Sequence, residues 1–131
     1  MEFQKVLETR RSVRKYDPNV SVTREQMEEL IRAAQEAPSW KNSQTTRYYA
    51  LVTPEKVEEF SAKCLPEFNQ KSSKGAALVV TAFVKDRSGF TQDGTPDNEV
   101  GNGWGYYDCG LHDMNLLLEA ANQGLSTLVM G

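Results

Sequence analysis

Four cations and a hydroxyl fall within six consecutive residues, Arg10-Arg11-Ser12-Val13-Arg14-Lys15, in a chain of formal net charge -3. Planar guanidinium forks make charge-assisted hydrogen bonds roughly twice as strong as neutral ones, so three arginines and Ser12 suit the oxygens of one phosphate monoester. The same residues can equally be a solvated basic helix end favoured by the helix dipole, and composition alone does not separate the two. A second polar cluster, Ala37-Pro38-Ser39-Trp40-Lys41-Asn42-Ser43-Gln44, is dense in amides and hydroxyls beside one tryptophan. Such a loop can read the edge of a flat heterocycle, or merely satisfy turn backbone, the commoner use of these residue types.

Other chemistries find less support. Gly101-Asn102-Gly103-Trp104-Gly105 lacks the third glycine at the offset of a dinucleotide fingerprint and follows a loop instead of a strand. His112 has no serine or cysteine elbow near it. It falls on a polar stripe with Asp108, Asn115, Glu119 and Asn122, and reads as a solvated or interface imidazole. Cys64 and Cys109, with no CxxC spacing and a single histidine, cannot supply the soft ligands of a zinc site, so no metal is expected and both read as buried thiols. The acidic balance argues against a nucleic-acid partner. No apolar run approaches the ~18 residues of a membrane span, and the amino terminus has no signal-peptide pattern, so no membrane is expected and the cytoplasm is the default location.

The elements that must position these residues read as follows. A chain of 131 residues is about one domain, and 39% hydrophobic with 25% charged residues places it among globular chains. Phe3, Val6, Leu7 and Arg10 space a first helix that runs into the arginines and is closed by Asp17-Pro18. Thr23 and Gln26 form a capping box for a second helix with the stripe Met27, Leu30, Ile31 and Ala34, stopped at Ala37-Pro38. Residues 48–53 read as a strand, Thr53-Pro54 as the start of a third helix facing Val57 and Phe60 inward, and residues 77–84 as a strand covered on both faces. Residues 86–105 are a long polar loop, expected to be a lid or pocket wall. Residues 106–123 read as a helix with Gly124 as its C-cap, and residues 125–130 as a third strand. That last helix is apolar around most of its circumference, more than one small sheet can bury, which calls for a second subunit. A sheet ending on its core strand is unusual, so the sequence is expected to stop short of a natural terminus.

Taken together, RRSVRKY at 10–16, APSWKNSQ at 37–44, and Asn115-Leu116 through Gly124-Leu125-Ser126-Thr127 resemble the nitroreductase family of FMN-dependent oxidoreductases, in order and across nearly the whole sequence. The resemblance implies an α+β, three-layer fold with a central mixed sheet wrapped by helices, one flavin-binding domain over residues 1–131, and a homodimer with flavins at its interface. It implies that Arg10, Arg11 and Ser12 hold the FMN phosphate and ribityl chain, with Arg14 near the N1 and O2 edge of the ring. Reduced flavin carries negative charge there, so Arg14 acts as an electrostatic stabiliser and no side chain is required as a catalytic acid or base. Pro38, Ser39, Trp40 and Asn42 are expected to reach the flavin from the other subunit, and main-chain N–H groups of Met130 and Gly131 to meet its N5 and O4 edge. Asn69, with Lys71 or Lys74, is placed at the pyrimidine edge. Thr45-Thr46 departs from the proline and aromatic of many relatives, and the helix, strand and tail with which relatives continue past Gly131 are not in this sequence.

The implied activity takes hydride from NADH or NADPH onto flavin N5, then passes electrons in a ping-pong cycle to a flat, electron-poor aromatic acceptor such as a nitroarene or quinone. Phe90, Trp104, Tyr106 and Tyr107 are the aromatic candidates for the pocket wall. Two readings from other classes stand beside it: an FMN-binding carrier or sensor without turnover, and a non-flavin anion-binding interaction module.

Overall fold

The computed structural model describes all 131 residues, Met1–Gly131. Its elements are α1 (Phe3–Thr9), α2 (Arg24–Gln35), a 3₁₀ turn at Trp40–Asn42, β1 (Thr46–Leu51), α3 (Pro54–Cys64), α4 (Glu67–Ser72), β2 (Leu78–Phe83) and α5 (Gly103–Asn122). This is an α+β arrangement. The capping box forms as the spacing requires, with the Gln26 N–H donating to Thr23 Oγ1 at 3.1 Å and the Thr23 N–H donating to Gln26 Oε1 at 3.0 Å. Met27, Leu30 and Ala34 of α2 then pack on Leu116 and Ala120 of α5, and this cluster is the core. Ala34 and Ala120 are fully buried, so small side chains let the two helices approach closely while Leu30 and Leu116 fill the space around them.

β1 and β2 pair antiparallel, from Thr46 opposite Phe83 to Leu51 opposite Leu78. α5 crosses this hairpin at Gly105, where a Cβ would lie 2.3 Å from the ring of Phe83. Only glycine admits that approach.

Several expectations need correction. The sheet has two strands, not three, and residues 125–130 are extended without being a strand. Their ladder reduces to a parallel bridge between Ser12 and Thr127, with the Val13 N–H donating to the Thr127 carbonyl at 2.9 Å. The physical reason lies on the other side, where a cavity of about 560 Å³ separates the segment from the unpaired edge of β2. Consecutive residues of both, Leu78 to Thr81 and Leu125 to Met130, line it. The apolar run of β2 is accordingly half-buried over most of its length instead of covered on both faces. Cys64, the last residue of α3, is exposed and Cys109 half-buried, so neither is a fully buried thiol. Thr53 makes no side-chain cap to α3, and α4 is too short to leave a periodic signal. The polar stripe of α5 is not solvated throughout: Asp108 and His112 are inside, at 1% and 7% exposure. No helix is long and apolar enough to cross a membrane.

Candidate functional site

The residues nominated from the sequence gather in two places. At the carboxyl end of α5, the chain leaves α1 at Arg10 in an extended conformation and runs beside residues 125–131, tied to them by the bridge at Ser12. The Tyr16 hydroxyl donates to the Val13 carbonyl at 2.8 Å and fixes the turn that follows. Arg11, Ser12 and Arg14 are exposed and Arg10 is half-buried. Arg11 donates to the Arg10 carbonyl at 2.8 Å, and none of the ion pairs of the protein involves Arg10, Arg11 or Arg14. Asn69 is buried, and its Nδ2 donates to the Gly131 carbonyl at 3.2 Å. The backbone N–H groups of Met130 and Gly131 make no hydrogen bond. Arg10, Arg11, Ser12, Arg14, Asn69, Met130 and Gly131 thus share one region rich in unpaired donors. That donor set fits an anion with a hydrogen-bond-accepting edge.

The second gathering lies at the amino end of α5. Trp40 stands 6.4 Å from Trp104, which meets Tyr107 edge-on at 5.8 Å, and Lys41 Nζ lies 4.6 Å from the Trp40 ring centroid. Pro38 and Asn42 are exposed, Ser39 half-buried. Tyr106 packs edge-on against Phe83 at 4.8 Å, leaving 72% of its surface free. Phe90 belongs to the preceding loop, bridged to Pro96. Trp40, Trp104 and Tyr107 are therefore one aromatic cluster, with Tyr106 and Phe90 at its margins.

One chain does not bring the two gatherings together. Asp108 touches Trp40 near one end of α5, whereas Asn122 at the other end accepts from the amino terminus at 3.0 Å. At 1.5 Å per residue these points are about 20 Å apart. The cavity of about 560 Å³ joins neither: Met130 alone of the nominated residues lines it, and its walls are mostly apolar.

His112 is not a solvated imidazole. The Tyr48 hydroxyl bonds its Nδ1, and its buried Nε2 has no partner. Burial pushes the imidazole pKa down, opposed by Asp108 and Asp113. Burial, then the charges of Asp113 and Cys109, push Tyr48 up to about 12. Both shifts keep the pair uncharged at neutral pH, a phenol hydrogen-bonded to a neutral imidazole. Burial likewise raises the Cys109 thiol. Sequence reasoning missed Tyr48, although its place opposite a helical histidine on an inward-facing strand position was the available signal.

Residues 7–131 match the model of the Nitroreductase family. The Bacillus subtilis (strain 168) protein YdgI, named as an NAD(P)H nitroreductase, is 34% identical over 83 residues, which are 63% of this chain and 39% of that protein. A nitroreductase family protein from Clostridium novyi NT has a TM-score of 0.74 at 19% identity, over 95% of this chain and 66% of its own. A structure from Exiguobacterium sibiricum 255-15, described as a nitroreductase in complex with FMN, has a TM-score of 0.69 at 22% identity, over 100% and 75% respectively. The matched stretch is thus well under half the length of the curated relative YdgI.

Proposed function

The chain belongs to the nitroreductase family, and from that membership we propose that it is an FMN-dependent oxidoreductase using NADH or NADPH, with a flat, electron-poor aromatic compound as acceptor in a ping-pong cycle. The observation that carries this reading is the cradle of Arg10, Arg11, Ser12 and Arg14, free of carboxylate partners and bridged to the segment whose Met130 and Gly131 N–H groups are unengaged. FMN, when bound, supplies the redox chemistry, accepting a hydride equivalent from the nicotinamide and yielding electrons to the acceptor.

The residues of the chain do the rest. Arg10, Arg11 and Ser12 bind the phosphate through charge-assisted hydrogen bonds. Arg14 sets a fixed positive charge beside the ring edge where negative charge builds, a preorganised electrostatic contribution. Asn69, already bonded to Gly131, orients the chain end whose N–H groups meet the polar edge of the ring. Pro38, Ser39, Trp40 and Asn42, too far from the cradle of their own chain, serve that of a second copy, so a homodimer completes two sites. Tyr106 and Tyr107, backed by the half-buried Trp104, offer exposed aromatic surface against which a flat nicotinamide or acceptor can stack, excluding water and holding the reactants close. His112 is held by Tyr48 inside the protein and takes no part in proton transfer.

The test is to load the protein with FMN, remove free flavin by desalting and add NADH or NADPH without oxygen. A yellow protein whose visible flavin band bleaches supports the reading. A yellow protein that stays coloured is a carrier or sensor, and a colourless one with strongly salt-dependent anion binding is an interaction module.

A further inference from the structure

The loop from Pro38 to Thr45 holds three non-glycine residues in the left-handed region, Lys41 at φ 45°, Asn42 at φ 52° and Gln44 at φ 53°. Asparagine tolerates that region, but lysine and glutamine are strained there, and such conformations persist only where the surroundings over-determine them. Part of the constraint is local: the Gln44 N–H donates to Ser39 Oγ at 3.0 Å, and Gln44 Nε2 to Asn42 Oδ1 at 3.1 Å. The rest comes from outside the loop. Asp108 and Ser88 are the largest side chains buried almost completely, each 1% exposed. Asp108 Oδ1 accepts from the Trp40 N–H at 3.0 Å, and Oδ2 accepts from the Ser88 hydroxyl at 2.5 Å.

A carboxylate only accepts, so the single Ser88 proton is committed to Asp108. The Ser43 and Thr45 hydroxyls, 2.6 Å and 3.2 Å from Ser88 Oγ, must then donate to it. One buried charge thereby fixes the direction of every bond in a chain that grips the loop at Trp40, Ser43 and Thr45. Gly89 closes the space behind Ser88, since a Cβ there would lie 2.3 Å from the Gly101 carbonyl oxygen.

We infer that Asp108 and Ser88 are positioning residues, which hold the 38–45 loop in the strained shape that presents Ser39, Trp40 and Asn42 to the flavin. This rests on the functional reading above, but part of it is measurable without flavin. Trp40 and Trp104, with ring centroids 6.4 Å apart and planes tilted by 42°, are close enough for exciton coupling, so circular dichroism reports the loop directly. Trp104→Phe identifies the couplet. Asp108→Asn puts an amide N–H where an acceptor is needed and breaks the chain at its source. Ser88→Ala removes only the middle hydroxyl. Asp113→Asn is the control, because Asp113 is a carboxylate of the same helix bonded instead to Thr81, at 2.7 Å.

The expectation is a couplet at least halved in Asp108→Asn and weakened in Ser88→Ala, retained in Asp113→Asn, with the FMN Kd raised about tenfold in the first two. If Asp108→Asn fails to fold, Ser88→Ala decides. Folded Asp108→Asn or Ser88→Ala protein with the wild-type couplet and an FMN Kd within about twofold overturns the inference. If wild-type protein binds no FMN, the functional reading fails while the couplet still decides whether these residues set the loop.

Discussion

At one end of α5, Asp108 is 1% exposed with both carboxylate oxygens bonded, and the loop it holds is tied at three points. At the other end, Arg10, Arg11 and Arg14 have no carboxylate partner, and the N–H groups of Met130 and Gly131 engage nothing. The first region satisfies the Asp108 carboxylate and the loop hydroxyls of Ser43 and Thr45 before any ligand arrives. The donors of the second are left open, and on the proposed reading a dianionic ligand fills them. On the function proposed above, preorganisation at the aromatic end and unsatisfied charge at the cationic end are complementary ways of preparing for one cofactor. The first lowers the ordering cost of binding, and the second supplies the attraction.

If that contrast holds, substitutions at the two ends should fail differently. The largest effect is expected from Arg10→Ala with Arg11→Ala. Charge-assisted bonds are each worth about 1.5–3 kcal/mol, so FMN affinity should fall by about a hundredfold or more, read by flavin fluorescence titration. The thermal midpoint of the apoprotein should stay unchanged, since neither side chain supports the fold. Leu30→Ala should do the reverse, costing about 2–5 kcal/mol of stability in a denaturant titration while leaving the cradle intact. Arg14→Ala should lower the flavin potential and slow reduction by NAD(P)H several-fold, more than it weakens binding; an unchanged potential removes the role assigned to that charge.

The smallest effect is in the pH dependence of stability. The pKa of His112 is depressed by folding, so the unfolded chain binds the extra proton first, and stability should decline as pH falls below about 6.5. Tyr48 is raised to about 12 in the fold, so the unfolded chain loses its proton first and stability should also decline above pH ~10. Thermal melts of Tyr48→Phe should show a shallower alkaline decline, the half-buried Cys109 thiol and Tyr16 phenol, both also raised, supplying the remainder.

The arginine run and the Pro38–Gln44 loop were legible in the sequence because their chemistry is written in consecutive residues. The capping box of α2 and the apolar stripe it shares with α5 were legible because both follow helical spacing. What escaped depends on distant pairing. Asp108 and His112 look like a solvated stripe until Trp40, Ser88 and Tyr48, which are 20 to 68 positions away, fill their hydrogen bonds. Residues 125–130 carry the composition of a strand, yet a strand requires a neighbour along its length, and Ser12–Val13 supplies only two residues of one.

The central claim is that the two ends of α5 serve the same flavin from different copies of the chain, and mixing tests it most directly. An Arg10→Ala, Arg11→Ala variant and a Trp40→Ala, Asn42→Ala variant, each deficient in FMN binding, are unfolded together and refolded at equal concentrations. In a two-fold dimer, half of the assemblies are mixed and each of these regains one intact site, so FMN binding should recover to about a quarter of the wild-type sites. No recovery, from two variants that each fold and assemble normally, would contradict it.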